Sequence, residues 1–510
     1  MFDLGRSYGL SVERSPNATA IVDGERRWTY AEWRGPILRA AGGLERLGLV
    51  KGDHLITVMQ NRWEAATLYW ACQFLGVIVT PLNWRMKAGE LDYCIQDAEA
   101  KAVVFQDVSA EAVAEAEGSR GLALVGVAGA GANAGAGAMA FDALLAGAAF
   151  EGEPRAEPED SSIMLYTSGT TGRPKGVPRS HRVERAAAIA HVVHHRSVPG
   201  EVMLGVMPFY HTMGVRSLLA AQLVDGCLIC QPRFDSAMTL KLIEDERISS
   251  VFLVPTLFHD LMALPQFAAA DKSSVRHVGF AGASMPDGLL ARVAKEFQPQ
   301  LFVNHYGSSE IYTFTIEPNA AAKPGSAGKA GINQRIRVVR LGSSDPDDLA
   351  GRGEEGQIIA DLSGDEAFEG YWRRPDADET ALKRGWYFTG DTGYMDADGD
   401  LFVTGRTDDV MISGGENVSP QEIESTLSMH PAVGEVAVVG LADERWGQRI
   451  TAFVVRSGEV DADALDAHCR NSELSDYKRP REYVFIKAIP KSPVGKFLRR
   501  MLLAGEYEPE

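Results

Sequence analysis

The chain has 510 residues, 45% of them hydrophobic and 24% charged, with a formal net charge of −18 at neutral pH. This balance excludes a mainly disordered chain, and at roughly 150 residues per domain it predicts about three domains, or one large and one small. The acidic excess argues against a nucleic-acid partner, whose phosphates are bound by Lys and Arg. No run of about 18 apolar residues is free of charge, so no spanning helix is predicted. The opening MFDLGRSYGLSVERSP lacks a basic start followed by an apolar run, so no secretion signal is expected. Cys72, Cys94, Cys227, Cys230 and Cys469 are too few for a disulfide framework, which points to a reducing, cytoplasmic setting.

From about residue 20 to 110, short apolar runs such as HLITVM (54–59) and AVVF (102–105) alternate with longer stretches of helical period. WEAATLYWACQFLGV (63–77) predicts a buried helix, and the alternation predicts α/β layers. The Gly/Ala-rich start of 124–150 reads as a flexible surface connection, and EGEPRAEPED (151–160) as a loop. A second α/β stretch follows to about 340. In it SSVFLVP (249–255) and VRHVGFAGA (275–283) read as strands, and PDGLLARVAKEF (286–297) as a helix opened by proline. CLIC (227–230) has an apolar interior and no second Cys/His pair, so it reads as a buried strand rather than a metal site. From 335 to 404, β-branched runs separated by Gly and Asp predict an antiparallel sheet or small barrel. After Arg406 helix and strand alternate again over about a hundred residues, the size of a small domain.

Residues 163–177, IMLYTSGTTGRPKGV, run an apolar strand into a loop of Thr, Ser and Gly ending in Lys175. Glycines admit a ligand close to the backbone, hydroxyls and amides donate to phosphate oxygens, and lysine adds charge. The plainer reading is a mobile surface loop, but the density of hydroxyls beside a basic end favours phosphate. A Walker loop does not fit, because Lys175 lies between Pro174 and Gly176. Further stations follow in order: PFYHTMG (208–214), AGAS (281–284), YGSSE (306–310), WYFTGD (386–391), GRTDDVMISGGENVSP (405–420) and PKSPVGKFLRR (490–500). Taken singly, His211 would pass for a packed core residue, Asp408 for a turn and a loop lysine such as Lys496 for a solvated charge.

Together these motifs resemble those of the adenylate-forming superfamily, which includes acyl- and aryl-CoA ligases, and the resemblance covers nearly the whole chain. It implies an α/β fold with a large N-terminal domain (1–405) of two α/β subdomains plus a small β-barrel-like sheet. A small mobile α+β C-terminal domain (406–510) would hinge near Asp408. It implies ATP and AMP contacts at Thr167, Ser168, Gly169, Thr170, Thr171, Gly172 and Lys175, along Gly282, Ala283 and Ser284, and at Tyr306, Gly307 and Ser309. Asp391 would take the ribose hydroxyls and Arg406 the ribose or phosphate, while Glu310 would help hold Mg2+, a hard cation suited to a carboxylate. Lys496 stands at the family's catalytic lysine, with His211 and Glu310 as further catalytic candidates. The stretch from 400 to 500 is most similar to 4-chlorobenzoate-CoA ligase-like enzymes, which implies coenzyme A contacts at Gly414, Gly415, Trp446, Tyr477, Arg479 and Arg481.

The implied reaction joins a small carboxylate to coenzyme A through an acyl-adenylate, with ATP as co-substrate and AMP and pyrophosphate as products. His211, Thr212, Met213, Phe258, Ala283, Ile311 and Tyr312 are candidate acyl-pocket residues. Their apolar character suggests an aryl or alicyclic acid, the alternatives being a medium- or long-chain fatty acid and a stand-alone enzyme loading a carrier protein. A homodimer is left open. Eight Lys or Arg against one acid, Glu482, between Tyr477 and Arg500 form either a solvated face or part of the nucleotide site of coenzyme A.

Overall fold

The computed structural model describes residues 2–127, 137–167, 174–406, 411–413, 416–443, 445–472, 474–491 and 497–510. Two sheets make up the large N-terminal part. The first has the order Met139–Ala140, Ala123–Val127, Ala102–Gln106, His54–Val58, Ile78–Leu82, Ser161–Thr167, Lys175–Ser180. All neighbours are parallel except the last two, which form a hairpin. The helix Trp63–Leu75 has every residue buried, as its continuous apolar run requires, and ends on Gly76 in the left-handed region at φ 75°. LVGV, expected in a flexible connection, instead extends the sheet, because Val125 and Val127 are buried against the neighbouring strand.

The second sheet has fourteen strands among the described residues. Its centre is a parallel run through Leu301–Tyr306, His277–Ala281, Ser250–Leu253, Val202–Gly205, Cys227–Cys230 and Thr19–Asp23. Both cysteines of Cys227–Cys230 are buried and free. Beyond Tyr306 the sheet turns antiparallel through Thr315–Glu317, Ser326–Ala330, Leu401–Arg406, Trp386–Met395, Gly356–Asp361 and Ile336–Arg340. The strands expected as a barrel-like unit are therefore open. Leu401–Arg406 pairs with Ser326–Ala330, and that pairing carries the small sheet onto the large one.

The small C-terminal part is built on Val433–Asp443 and Gly447–Arg456, antiparallel, with Glu482–Phe485 parallel to the latter. Alternation along Val436–Val439 sends side chains to opposite faces. Val436 and Val438 pack with Ile423, Leu427 and Leu465 from two helices, while Ala437 and Val439 pack with Phe453, Ile486 and Leu502. This part rests on the large one through the helix Pro420–Ser428. Ser284 Oγ donates to Gln421 Oε1 at 3.2 Å, and the Ser419 hydroxyl donates to the Thr404 carbonyl. A Cβ on Gly288 would fall 2.5 Å from the Ser428 carbonyl oxygen, so glycine lets the two parts approach there.

Candidate active site

Parallel strands deliver their carboxyl ends to one edge of a sheet, where ligands of open α/β folds bind. Here that edge carries Tyr306, the last residue of Leu301–Tyr306, and Gly282, which follows His277–Ala281 at φ 82°. Ala283 and Ser284 beyond it are exposed. In the other sheet Thr167 pairs with Lys175 at the mouth of the Ser161–Ser180 hairpin, so the glycine-rich loop is a hairpin tip closed by a hydroxyl and a cation. Ser168, Gly169, Thr170, Thr171 and Gly172 lie outside the described residues, as do Asp408, Gly414, Gly415 and Lys496.

Two polar chains converge there. Tyr306 donates its hydroxyl to Asp391 Oδ2 at 2.5 Å, and Arg406 Nη1 donates to Asp391 Oδ1 at 2.7 Å. Register explains the second contact, because Asp391 and Arg406 face one another across adjacent antiparallel strands. Burial first, and then the Asp391 charge, push the Tyr306 hydroxyl well above its ordinary range, so it stays a proton donor. In the second chain Tyr371 donates to Glu310 Oε1 at 2.7 Å, and Lys175 Nζ sits 4.4 Å from the Tyr371 ring centroid. Glu310 and Lys175 thus meet through one aromatic side chain. Tyr371 was missed from the sequence, where the sole hint was Gly-Tyr-Trp (370–372) in a stretch without other chemistry.

Between the chains lies a tight turn. Ser308 N donates to the Ile311 carbonyl at 2.9 Å, and a Cβ on Gly307 would fall 1.7 Å from the Tyr312 carbonyl oxygen. Only glycine fits. Ser309, partly exposed, and the mostly buried Glu310 sit at its tip. The donor set suits a hard cation: a carboxylate oriented by one phenol, beside a lysine and hydroxyls able to share a phosphate-rich ligand.

The predicted acyl-pocket residues do not form one cluster. His211 caps the helix Thr212–Leu223 with its ring 4.8 Å from that of Tyr210. Met213 and Phe258 belong to one core, where Phe258 packs on Phe297. Ile311 belongs to another, with Val177 and Phe368. Tyr312 joins a buried histidine group: its hydroxyl meets His191 Nδ1 at 2.8 Å, and its carbonyl accepts from His305 Nε2 at 3.2 Å. His195 bonds His305 at 3.1 Å and stacks on His191. Burial pulls the His191 imidazole down to about 3 and those of His195 and His305 well below their ordinary range, so all three are neutral.

In the C-terminal part, Arg481 lies over the Trp446 ring at 5.3 Å, and Tyr477 is 45% exposed. Arg479 is held instead by Asp466 and Asp476. Much of the basic stretch is paired in the same way: Lys478 with Glu422, Lys491 with Glu435, Arg499 with Glu424.

A family model described as AMP-binding enzyme matches residues 10–372, and one described as AMP-binding enzyme C-terminal domain matches 422–496. The chain is 34% identical over 497 residues to a 4-chlorobenzoate–CoA ligase of Arthrobacter sp, covering 96% of this chain and 93% of the relative. It is 32% identical over 499 residues to the long-chain-fatty-acid–CoA ligase FadD13 of Mycobacterium tuberculosis, covering 96% and 95%. Among solved structures, ATP-bound MatB from Rhodopseudomonas palustris superposes with a TM-score of 0.88 at 27% identity, covering 99% of both chains.

Proposed function

From the premise that the chain belongs to the AMP-binding enzyme family and is an AMP-forming acyl- or aryl-CoA ligase, we propose that its acid is benzoate-like or alicyclic. The observation that carries this reading is the Lys175–Tyr371–Glu310 chain at the mouth of the phosphate hairpin, opposite Tyr306–Asp391–Arg406. One group of donors and charges suits the phosphates, the other a ribose diol, since an ionised carboxylate only accepts hydrogen bonds. Similarity to the 4-chlorobenzoate ligase and the mostly apolar residues near His211 favour a compact acid. Similarity to FadD13 supports a fatty acid as second reading.

In the first half-reaction a carboxylate oxygen attacks the α-phosphorus of ATP, and the bond to the β-phosphate oxygen breaks, releasing pyrophosphate. Carboxylate and polyphosphate repel each other, so rate comes from positioning and charge compensation. Lys175 and Lys496 are assigned the compensation, Tyr371 the orientation of Glu310, and Asp391 with Arg406 the ribose. Glu310 would hold Mg2+, whose charge offsets that of the phosphates when bound. In the second half-reaction the coenzyme A sulfur attacks the mixed anhydride, and AMP leaves with the electron pair. Lys496 and the thiol cannot occupy the same carbon together. The C-terminal part, with its boundary at residues 405 and 406, therefore turns about Asp408 between the steps. Trp446, Tyr477 and Arg481, with Gly414 and Gly415, are assigned to coenzyme A; Arg479 is assigned to hold Asp466 beneath them. A cytoplasmic setting belongs to the same reading, since all five cysteines are free and buried.

An acid-dependent ATP–pyrophosphate exchange screen over benzoates, alicyclic acids and fatty acids, repeated for thioester formation with coenzyme A, tests the assignment. Exchange with fatty acids alone rejects the compact acid; exchange without thioester formation rejects coenzyme A as acceptor. Lys496→Ala is expected to abolish exchange while thioester formation from supplied acyl-adenylate continues. Equal loss in both steps defeats the alternation of the C-terminal part.

A further inference from the structure

Two guanidinium groups lie in the core where neither the motif pattern nor the chemistry asks for them. Arg179 stands on the strand Lys175–Ser180, four residues beyond Lys175, and Arg216 on the helix Thr212–Leu223 that His211 caps. Their side chains, and that of Glu184 between them, are fully buried. Glu184 takes Arg179 Nε on one oxygen and Arg216 Nη2 on the other, and its carbonyl accepts from Arg216 Nη1 at 2.6 Å. Burial lowers both guanidiniums to about 10, so they remain charged at neutral pH.

Stability does not account for this arrangement. Each buried ion costs several kcal/mol in desolvation, and apolar residues of similar volume commonly do as well or better. Moreover, Arg179 Nη2 and Arg216 Nε have no hydrogen-bond partner among the described residues, a further cost. What Arg179 does have is a specific target. Its Nη1 donates to the carbonyl oxygens of Ser309 at 2.9 Å and Glu310 at 3.2 Å. The Glu310 carbonyl also accepts from Phe368 N at 3.0 Å, and the Glu310 carboxylate from Tyr371.

We infer that Arg179 is a positioning residue that fixes the Ser309–Glu310 peptide relative to the strand carrying Lys175. It thereby sets the separation between the phosphate lysine and the metal-facing carboxylate. Glu184 and Arg216 hold Arg179 in that pose, and Arg216 extends the brace to Tyr312, whose ring centroid lies 5.3 Å from its guanidinium carbon. Part of this rests on the reading of Glu310 as a magnesium ligand, and the test separates the two.

Arg179→Met is the variant of choice, because it leaves Glu184 and Arg216 as a one-to-one pair with no uncompensated buried charge. Without nucleotide, hydrogen exchange of the backbone amides in 306–313 is expected to rise by about tenfold, as one charge-assisted tether is lost, with the rest of the chain unchanged. In ATP–pyrophosphate exchange the magnesium concentration at half-maximal rate is expected to rise by about tenfold, while thioester formation from supplied acyl-adenylate stays within about twofold. Should the variant be insoluble, Arg179→Lys keeps the charge opposite Glu184 but replaces the fork by one ammonium, and a smaller shift in the same two readouts is expected. A lowered melting temperature without local change in exchange or in magnesium requirement overturns the inference, as does equal loss in both half-reactions. Glu310→Gln serves as the control. If it leaves the magnesium requirement unaltered, the metal assignment fails, while the exchange of 306–313 still judges Arg179.

Discussion

Tyr371 joins the two opposite charges that face the phosphate hairpin, Glu310 through its hydroxyl and Lys175 through its ring. Tyr371→Phe removes the first contact and keeps the second. A hydrogen bond to a charged group is worth about 1.5–3 kcal/mol, so ATP–pyrophosphate exchange is expected to fall by about 10- to 100-fold with little change in melting temperature. A drop of the same size in thioester formation from supplied acyl-adenylate would contradict that role. Gly307 makes a different kind of demand, because its neighbour is a backbone oxygen that cannot swing away. Gly307→Ala is therefore expected to open the turn and cost both stability and exchange activity, read together by thermal melting and the first half-reaction. Tyr306, Asp391 and Arg406 were legible as motif letters, but the bonds among them come from strand ends and register. Tyr371, Arg179 and Glu184 were not legible, since their partners are distant in the chain.

Elements followed the apolar pattern closely where burial was continuous. The helix Trp63–Leu75 and the strands His54–Val58, Ser250–Leu253 and His277–Ala281 lie where their runs of apolar residues predicted. The pattern failed where composition was mistaken for conformation, as in LVGV, whose glycine neighbours masked a strand with a buried partner. In the C-terminal part the basic stretch serves helix docking. Glu424 on the helix Pro420–Ser428 accepts from Val438 N at 2.7 Å and from Arg499 Nη2 at 2.7 and 2.8 Å. Glu424→Gln leaves the Arg499 charge without its counter-charge at a site only partly open to water, and a loss of about 2–3 kcal/mol is expected in urea unfolding of this part. No measurable loss would mean that the pair is screened like a surface one.

The molecule as a whole carries a pH dependence set by its buried imidazoles. Burial lowers His54 and His181 from 6.5 to about 4, and His191 to about 3. Because the unfolded chain takes up protons near 6.5 that the native chain refuses, stability is full above that pH and lost as pH falls toward 4. At about 1.4 kcal/mol per unit, His54 alone accounts for roughly 3 kcal/mol of that loss. Glu64 acts in the opposite sense: burial raises it to about 7, so its contribution weakens as pH rises from 4.5 to 7. Urea midpoints from pH 7.5 down to 5 are expected to fall, and His54→Gln to flatten the slope; equal slopes would rule His54 out. The contact between the two parts is also testable. Gly288→Ala introduces a clash with Ser428, and if that contact belongs to one orientation of the C-terminal part, the variant is expected to change the ratio of the two half-reaction rates. An unchanged ratio would mark the contact as permanent.

The order of the motifs, the apolar periodicity and the glycines were enough to read the family, the α/β layering and most of the residues assigned to ATP, because these depend on local backbone needs and ligand chemistry. Which side chains touch one another was beyond reach in one dimension. The open junction of the small sheet with the large one depends on pairing between residues about seventy-five positions apart, Ser326 with Phe402. The buried Arg179–Glu184–Arg216 brace depends on bringing a hairpin and two helices to one point. Such contacts exist only once the core has closed, since it is the exclusion of water that turns distant polar residues into obligatory partners.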